Sequence, residues 1–479
     1  MLSILGRSQS ACDRVSRRQL LQAGGAGLLG LSVPRLLAAE SVSRADRPAR
    51  ARSVIFLFLY GGPSQLETFD MKPDAADTVR GPFRPIACRT PELRICEKLP
   101  QLAKLSDKYS VIRTMSHDYN DHSGGGHYLQ TGRRWHVPIG GGFNHTPRDW
   151  PSMGSVTEYL AQHAPGGLAR DLPAYAVLPN MLGRIEQEGQ YHRPGEHAGW
   201  LGRAYNPLTT RIDRRNLEDN PYWRDCTDEE LTFAIDGLAA APELTLDRNR
   251  RRMSLVEEFD AGLRRFESRR VGEYSRFQER ALSLVTSDRT RAALDIRREP
   301  DALRDRYGRH LFGQSVLMAR RLVEAGMRFV TVHYDCCDGY SWDSHRNSAD
   351  VDKHLLPTTD QATAALLEDL EQRGLLDETL VVCLGEMGRT PKANSDWGRD
   401  HWSTLFCCLL AGAGIRGGTV YGTTDGDAAY ALDRPVSPED LAATIYTALG
   451  IDPEVRLPDA QGRPSPIVEG GEAVEALFG

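Results

Sequence analysis

Three short stretches of this 479-residue chain gather carboxylates and imidazoles at spacings that could hold a metal ion. The first, SHDYNDHSGGGHYLQTGR at 116–133, carries His117, Asp121, His122 and His127. The second, DCCDGYSWDSH at 335–345, carries Asp335, Asp338, Asp343 and His345. The third, EMGRTPKANSDWGRDHW at 386–402, opens on Glu386 and adds Asp396, Asp400 and His401. Carboxylate oxygens and neutral imidazole nitrogens suit zinc, manganese, magnesium or calcium, and no ordered cysteine spacing points to a thiolate site. Arg389 lies in a Gly-Arg-Thr-Pro turn. Its planar fork suits either an ion pair within the turn or two oxygens of a phosphate or sulfate ester.

Each cluster follows an apolar run. SVIFLFLYGG at 53–62 reads as a strand buried on both faces, closed by glycines that let the backbone turn. A helix and a short strand end near Met115, just before the first cluster. AYAVLP at 174–179, MRFVTVHY at 327–334 and ETLVVCLG at 378–385 read as further strands, and STLFCCLLAG at 403–412 as one more apolar segment. VLMARRLVEAG and TDQATAALLEDLEQRG, each closed by a glycine, and SPEDLAATIYTALG read as helices. Alternation of this kind predicts an α/β fold with a doubly wound, mostly parallel sheet, in which ligands gather beyond the carboxyl ends of the strands. From about 208 to 310 the composition turns to arginine and glutamate at helical spacing, which predicts a helical insertion with a solvated face.

Composition narrows the classes. The chain is 40% hydrophobic and 26% charged, as in an ordinary globular protein. A net charge of −6 without basic runs excludes a nucleic-acid footprint. Nine cysteines are too few for a disulfide scaffold; only Cys88 and Cys96 have the spacing of a candidate pair. Arg17-Arg18 precedes the modestly apolar stretch QAGGAGLLGLSVP, and Leu37-Ala38-Ala39 offers a cleavage site. This is the pattern of a twin-arginine signal peptide over 1–39, followed by a linker at 40–52 and an α/β domain at 53–479. The expected destination is the periplasm or beyond, with nothing left that spans a membrane.

Two other motifs are set aside. Gly412–Gly417 fits G-x-G-x-x-G but is followed by the β-like GTVYGTT, so no helix start meets a pyrophosphate. His122-Ser123-Gly124-Gly125-Gly126 resembles an esterase oxyanion loop, yet the chain has no G-x-S-x-G elbow.

The strings LFLYGGPSQLETFDMKP, SHDYNDHSGGGHYLQTGR, SWDSH, LLDETLVVCLGEMGRTPK, WGRDHW, GGTVYGTTD and DLAATIYTALGID closely resemble DUF1501, a bacterial family of unknown function commonly exported by twin arginines. The resemblance runs from about residue 50 to the carboxyl terminus, and that family resembles a branch of the alkaline phosphatase and sulfatase superfamily. It implies a three-layer α/β sandwich with a mostly parallel central sheet. It also implies a divalent-metal site that hydrolyses phosphate or sulfate esters of a small molecule or glycan. Carried over residue by residue, it puts His122 and Ser123 at the nucleophile's place and Glu386 at a metal-binding strand end. Asp343 with His345 takes the place of an Asp and His metal pair, and His401 that of a downstream metal histidine. His117, Asp121, Asp400 and Asp70 are further candidates.

Departures from the superfamily pattern accompany the likeness. Gly61-Gly62 stands where the first strand would end in a metal-binding aspartate, Met387 replaces a ligand, and no Cys-x-Pro-x-Arg element exists. The nucleophile stays open between Ser123 and a metal-activated water. A catalytically silent relative that binds an anionic glycan or a protein partner is the alternative reading.

Overall fold

Period-two alternation within buried strands sends successive side chains to opposite faces, and here both faces are covered. The computed structural model describes residues 49–142, 144–164, 172–179, 193–210, 219–233, 288–334, 342–346 and 349–479. The expected leader at 1–39 and most of the linker lie outside the described residues. So do 211–218 and 234–287 of the expected insertion, together with Asp335 and Asp338. Among the described residues no helix is long and apolar enough to cross a membrane.

Eight strands form the central sheet: β1 (Ser53–Phe58), β2 (Tyr109–Met115), β3 (Tyr175–Leu178), β4 (Leu208–Thr209), β5 (Phe329–His333), β6 (Thr379–Leu384), β7 (Phe406–Ala411) and β8 (Val420–Tyr421). Their order is β8-β2-β7-β6-β1-β5-β3-β4. All neighbours pair in parallel except β7, which runs antiparallel to both β2 and β6. The apolar segment at 403–412 is therefore the one that enters the sheet from its carboxyl edge, and it brings His401 to that edge.

The helices that matter for the site are α1 (Pro100–Lys104), α2 (His122–Thr131), α3 (Met153–His163), α4 (Leu311–Glu324), α5 (Leu356–Gln372) and α6 (Pro438–Ala448). Ile55, Leu57, Val330, Val332, Val381 and Cys383 face a core shared with α1, α4 and α5. The intervening Val54, Phe56, Phe58, Leu380, Val382 and Leu384 face a second core shared with α2, α3 and α6. Two separate cores on the two faces of one sheet make the three-layer α/β sandwich. Phe58 pairs with both His333 and Leu384, so β1, β5 and β6 end level with one another. Everything that follows those three ends starts from the same edge.

Helix α2 departs from what its composition suggests. HSGGG reads as a loop, because three glycines weaken a helix. Here Asp121 caps it, its carboxylate accepting from the Gly124 amide at 2.7 Å. A Cβ on Gly124 would stand 1.7 Å from the Tyr119 ring, and one on Gly126 3.2 Å from the Tyr60 ring. Close approach to these two rings, paid for in helix propensity, explains Gly124 and Gly126, while a side chain at Gly125 would meet only ordinary contacts. Gly412–Gly417 forms a turn leading to β8, with Gly412 and Gly414 at positive φ, and no helix follows it. Cys88 and Cys96 carry free thiols.

Candidate metal and ester site

Three imidazoles converge on one oxygen at the carboxyl edge of the sheet. Asp343 Oδ1 lies 3.1 Å from His122 Nε2, 3.0 Å from His345 Nε2 and 3.2 Å from His401 Nε2. One donor atom each from His122, Asp343 and His401 lie within 4.8 Å of one another. His345 Nε2 and His401 Nε2 stand 3.1 Å apart. Ligand atoms about 2.0–2.1 Å from one zinc ion stand roughly 3 Å from each other, so His122, Asp343 and His401 have close to the spacing of a coordination shell, with His345 bordering it.

The far nitrogen of each ring is fixed by an oxygen. His122 Nδ1 bonds the Glu386 carboxylate, His345 Nδ1 meets Asp400 Oδ1 at 2.8 Å, and His401 Nδ1 faces the Asn120 carbonyl at 3.3 Å. Those oxygens accept, so each Nδ1 carries the hydrogen, and each ring in its neutral form turns a bare Nε2 to the centre. Two bare nitrogens 3.1 Å apart repel unless a proton or a cation is shared between them. Burial, the largest influence on His122, pushes its pKa down, but Asp343 and Glu386 outweigh it and hold the ring at about 9. The hydrogen bond that Asp343 accepts likewise raises His345. Burial would raise Asp343, yet its three histidine partners hold it well below the usual carboxylate range.

Glu386 is fully buried and stands behind His122, not at the centre. Its carboxylate accepts the Gly61 amide at 2.9 and 3.1 Å besides bonding His122. The carboxylate missing from the end of β1 is thus supplied to that turn from the end of β6. Gly61, at φ 110°, has room for nothing more, since a Cβ would lie 2.5 Å from the Asp343 amide.

Arg389 is also buried, at 1% exposure. Its guanidinium bonds Asp343 Oδ1 at 2.5 Å, the Gly62 carbonyl at 3.0 Å, the Arg399 carbonyl at 3.2 Å and the Gly61 carbonyl. Four of its five N–H groups are therefore engaged within the protein, and Gln65 clamps its backbone from both sides. Gly388–Arg389 and His401–Trp402 pair as a short antiparallel ribbon, which is how the third sequence cluster folds back on itself.

The other candidates fall elsewhere. Ser123 follows His122 in α2 and is 5% exposed. His117 donates Nε2–H to the Glu386 carbonyl at 2.7 Å and accepts the Tyr119 amide at 3.0 Å, so both its nitrogens serve the backbone. Asp121 caps α2 and accepts the Gly140 amide at 3.0 Å. Asp70 is buried away from the cluster, paired with Lys72 at 3.0 Å and Thr424 at 2.6 Å. His127 bonds the Arg133 carbonyl at 3.1 Å on the far side of α2. Glu67 pairs with buried Arg399 at 2.8 Å.

Three buried histidines and the partly buried His117 give the fold a measurable acid sensitivity. Burial lowers His117, His127 and His310 to about 4 and His333 to about 3. Their unfolded value is about 6.5, so the unfolded chain takes up protons that the folded chain refuses. The stability they contribute is complete above about pH 6.5 and is lost as pH falls toward 4, at about 1.4 kcal/mol per pH unit for each group. Denaturant unfolding between pH 7 and 4 should show this steep decline. A flat profile would mean that these rings are not held neutral.

An α/β sandwich with imidazoles and carboxylates gathered at the carboxyl edge of its sheet is the class that fold and site define. Within that class the chain belongs to the family described as protein of unknown function (DUF1501), whose model matches residues 51–478. No curated protein matches it. Among solved structures it is similar to Ps i-CgsB, crystallised in complex with k-i-k-neocarrahexaose, at 10% identity over 84% of this chain and 72% of that one, TM-score 0.39. It is similar also to the PsFucS1 sulfatase from Pseudoalteromonas sp., at 13% identity over 88% and 72%, TM-score 0.35. A third is the phosphonate monoester hydrolase SpPMH from Silicibacter pomeroyi, at 10% identity over 89% and 76%, TM-score 0.35. Likeness of this degree carries nothing about activity.

Proposed function

We propose that this protein is a divalent-metal-dependent hydrolase of phosphate or sulfate esters, with Asp343, His122, His401 and His345 as the residues that hold the ion. The observation that carries the reading is the set of three Nδ1–H imidazoles whose Nε2 atoms meet one carboxylate oxygen at 3.0–3.2 Å. A cation bound there would polarise an ester oxygen and lower the pKa of water. Glu386 and Asp400 orient His122 and His345, the role that carboxylates behind metal-bound histidines commonly play. In place of the ligand role expected for Glu386, its two bonds to the Gly61 amide support this orienting one. Arg389 fixes the position of Asp343 and of the turn after β1. Ser123 is the candidate nucleophile within the chain.

The reading is tested with metal-replete protein on a panel of aryl phosphate and sulfate esters. Slow turnover that is lost with chelator and in His401→Ala is expected, while Ser123→Ala separates a covalent serine route, which it abolishes, from a water route, which it spares. A second reading, a silent member that binds an anionic glycan or protein, is favoured by the burial of Ser123 and the engagement of Arg389. Absence of any turnover with retention of an anionic glycan would select it.

Export by the twin-arginine route is part of the proposal, supported by Arg17-Arg18 ahead of a modestly apolar stretch. Replacing both with lysine should trap the precursor in the cytoplasm, and normal processing of that variant would count against export by this route.

A further inference from the structure

We propose that Asn120 is the residue that positions His401 for the metal ion. This rests on the metal site proposed above and adds to it a residue of the first sequence cluster that is not one of the candidate ligands. An imidazole nitrogen reaches an ion along one direction, so error in the ring, or in the backbone that carries it, costs affinity. His122 lies in α2, a helix of ten residues whose backbone is fixed by its own hydrogen bonds. His401 lies in an antiparallel ribbon of two residue pairs, too short to hold itself. Something else must fix it.

The ribbon has two edges. Thr390 donates its amide to the Asp400 carbonyl at 2.9 Å, so by the alternation of an antiparallel ladder His401 turns its own backbone groups to the opposite edge. Asn120 occupies that edge. Its carbonyl accepts His401 Nδ1–H at 3.3 Å, its Nδ2 donates to the His401 carbonyl at 3.4 Å, and its Oδ1 accepts the Ser403 amide at 3.0 Å. A carbonyl and the amide two residues on are what one peptide of a neighbouring strand would pair with, and a carboxamide carries the acceptor and the donor to imitate it. The side chain thus grips the backbone on both sides of Trp402 while the main chain of the same residue orients the ring.

The turn that carries Asn120 is itself anchored on both sides. Before it, His117 donates its amide to the Ser403 carbonyl at 2.9 Å and its Nε2–H to the Glu386 carbonyl at 2.7 Å. Beside it, the Tyr119 amide bonds His117 Nδ1 at 3.0 Å and the buried Tyr119 ring packs on Gly124. After it, Asp121 caps α2. Asn120 therefore stands in a frame built from the end of β6, where Glu386 orients His122, and from the helix that presents His122. Through its three contacts the position of one histidine is set relative to the other.

The test is zinc affinity by competition with a chromophoric chelator, together with the visible spectrum of the cobalt(II)-loaded protein, which reports ligand geometry. Both are measured on folded protein, well below the unfolding temperature. Asn120→Ala is expected to weaken zinc binding at least about tenfold and to shift the cobalt bands, an effect that lost stability alone would not produce. Asn120→Asp keeps the acceptor for Ser403 but sets an oxygen against the His401 carbonyl, so it should fold and still shift the bands; it carries the test if Asn120→Ala does not fold. Asp118→Ala, which removes an exposed carboxylate of the same turn paired with Arg134, should match the wild type. Wild-type affinity and spectrum in both Asn120 variants, or an equal loss in Asp118→Ala, overturns the proposal while leaving the metal reading intact. A wild type that takes up neither zinc nor cobalt overturns the metal reading itself, and the role of Asn120 with it.

Discussion

Asp343→Ala is expected to strip the divalent ion from the protein, lowering its affinity at least about a hundredfold. No other residue of the cluster is so central. Its Oδ1 is the atom that all three Nε2 nitrogens approach, and the Arg389 guanidinium meets the same oxygen at 2.5 Å. Without it, three imidazole Nε2 atoms and a buried guanidinium face one another with no negative charge at their centre, and a cation entering that space meets repulsion from Arg389. Elemental analysis after dialysis, beside wild type, reads the loss. Because binding to the folded state adds stability by mass action, the stabilisation that added metal gives the wild type should vanish in the variant. Equal metal content in the two proteins would move the site away from Asp343.

Arg389→Ala is the substitution expected to destabilise the fold most, by about 3–5 kcal/mol in denaturant unfolding. The cause is what it leaves behind. The carbonyls of Gly61, Gly62 and Arg399 lose their donor in a buried place, and Asp343 loses its closest cation. Arg389→Lys should recover little, since an ammonium cannot span four acceptors arranged around a planar fork. A loss below about 1 kcal/mol would contradict this account of the buried arginine.

Most strands were legible in the sequence because they are largely apolar runs, and their burial on both faces is what such runs require, whereas β4 lies in a stretch expected to be helical and joins the sheet through only two residues. The convergence of the three clusters followed from that, since strands of one parallel sheet end on one edge. Other features were not legible. Helix α2 hides in HSGGG, because two of the glycines that signal a loop are set by the Tyr119 and Tyr60 rings packed against the helix. The reversed direction of β7 depends on the ribbon between Gly388–Arg389 and His401–Trp402, a pairing that leaves no mark in composition. The sequence shows that Glu386 and Arg389 follow a strand, but whether a carboxylate faces an ion or stands behind a histidine depends on the Gly61 amide, far away in the chain.

The central claim is that His122, Asp343, His345 and His401 hold a divalent cation, and metal analysis with X-ray absorption on protein purified without chelator tests it most directly. At least one divalent ion per chain is expected, bound through imidazole nitrogen and carboxylate oxygen, with that signature lost in His401→Ala. Protein that carries no stoichiometric ion and takes up none from zinc, manganese, magnesium or calcium, or an ion whose signature is unchanged in His401→Ala, would contradict it.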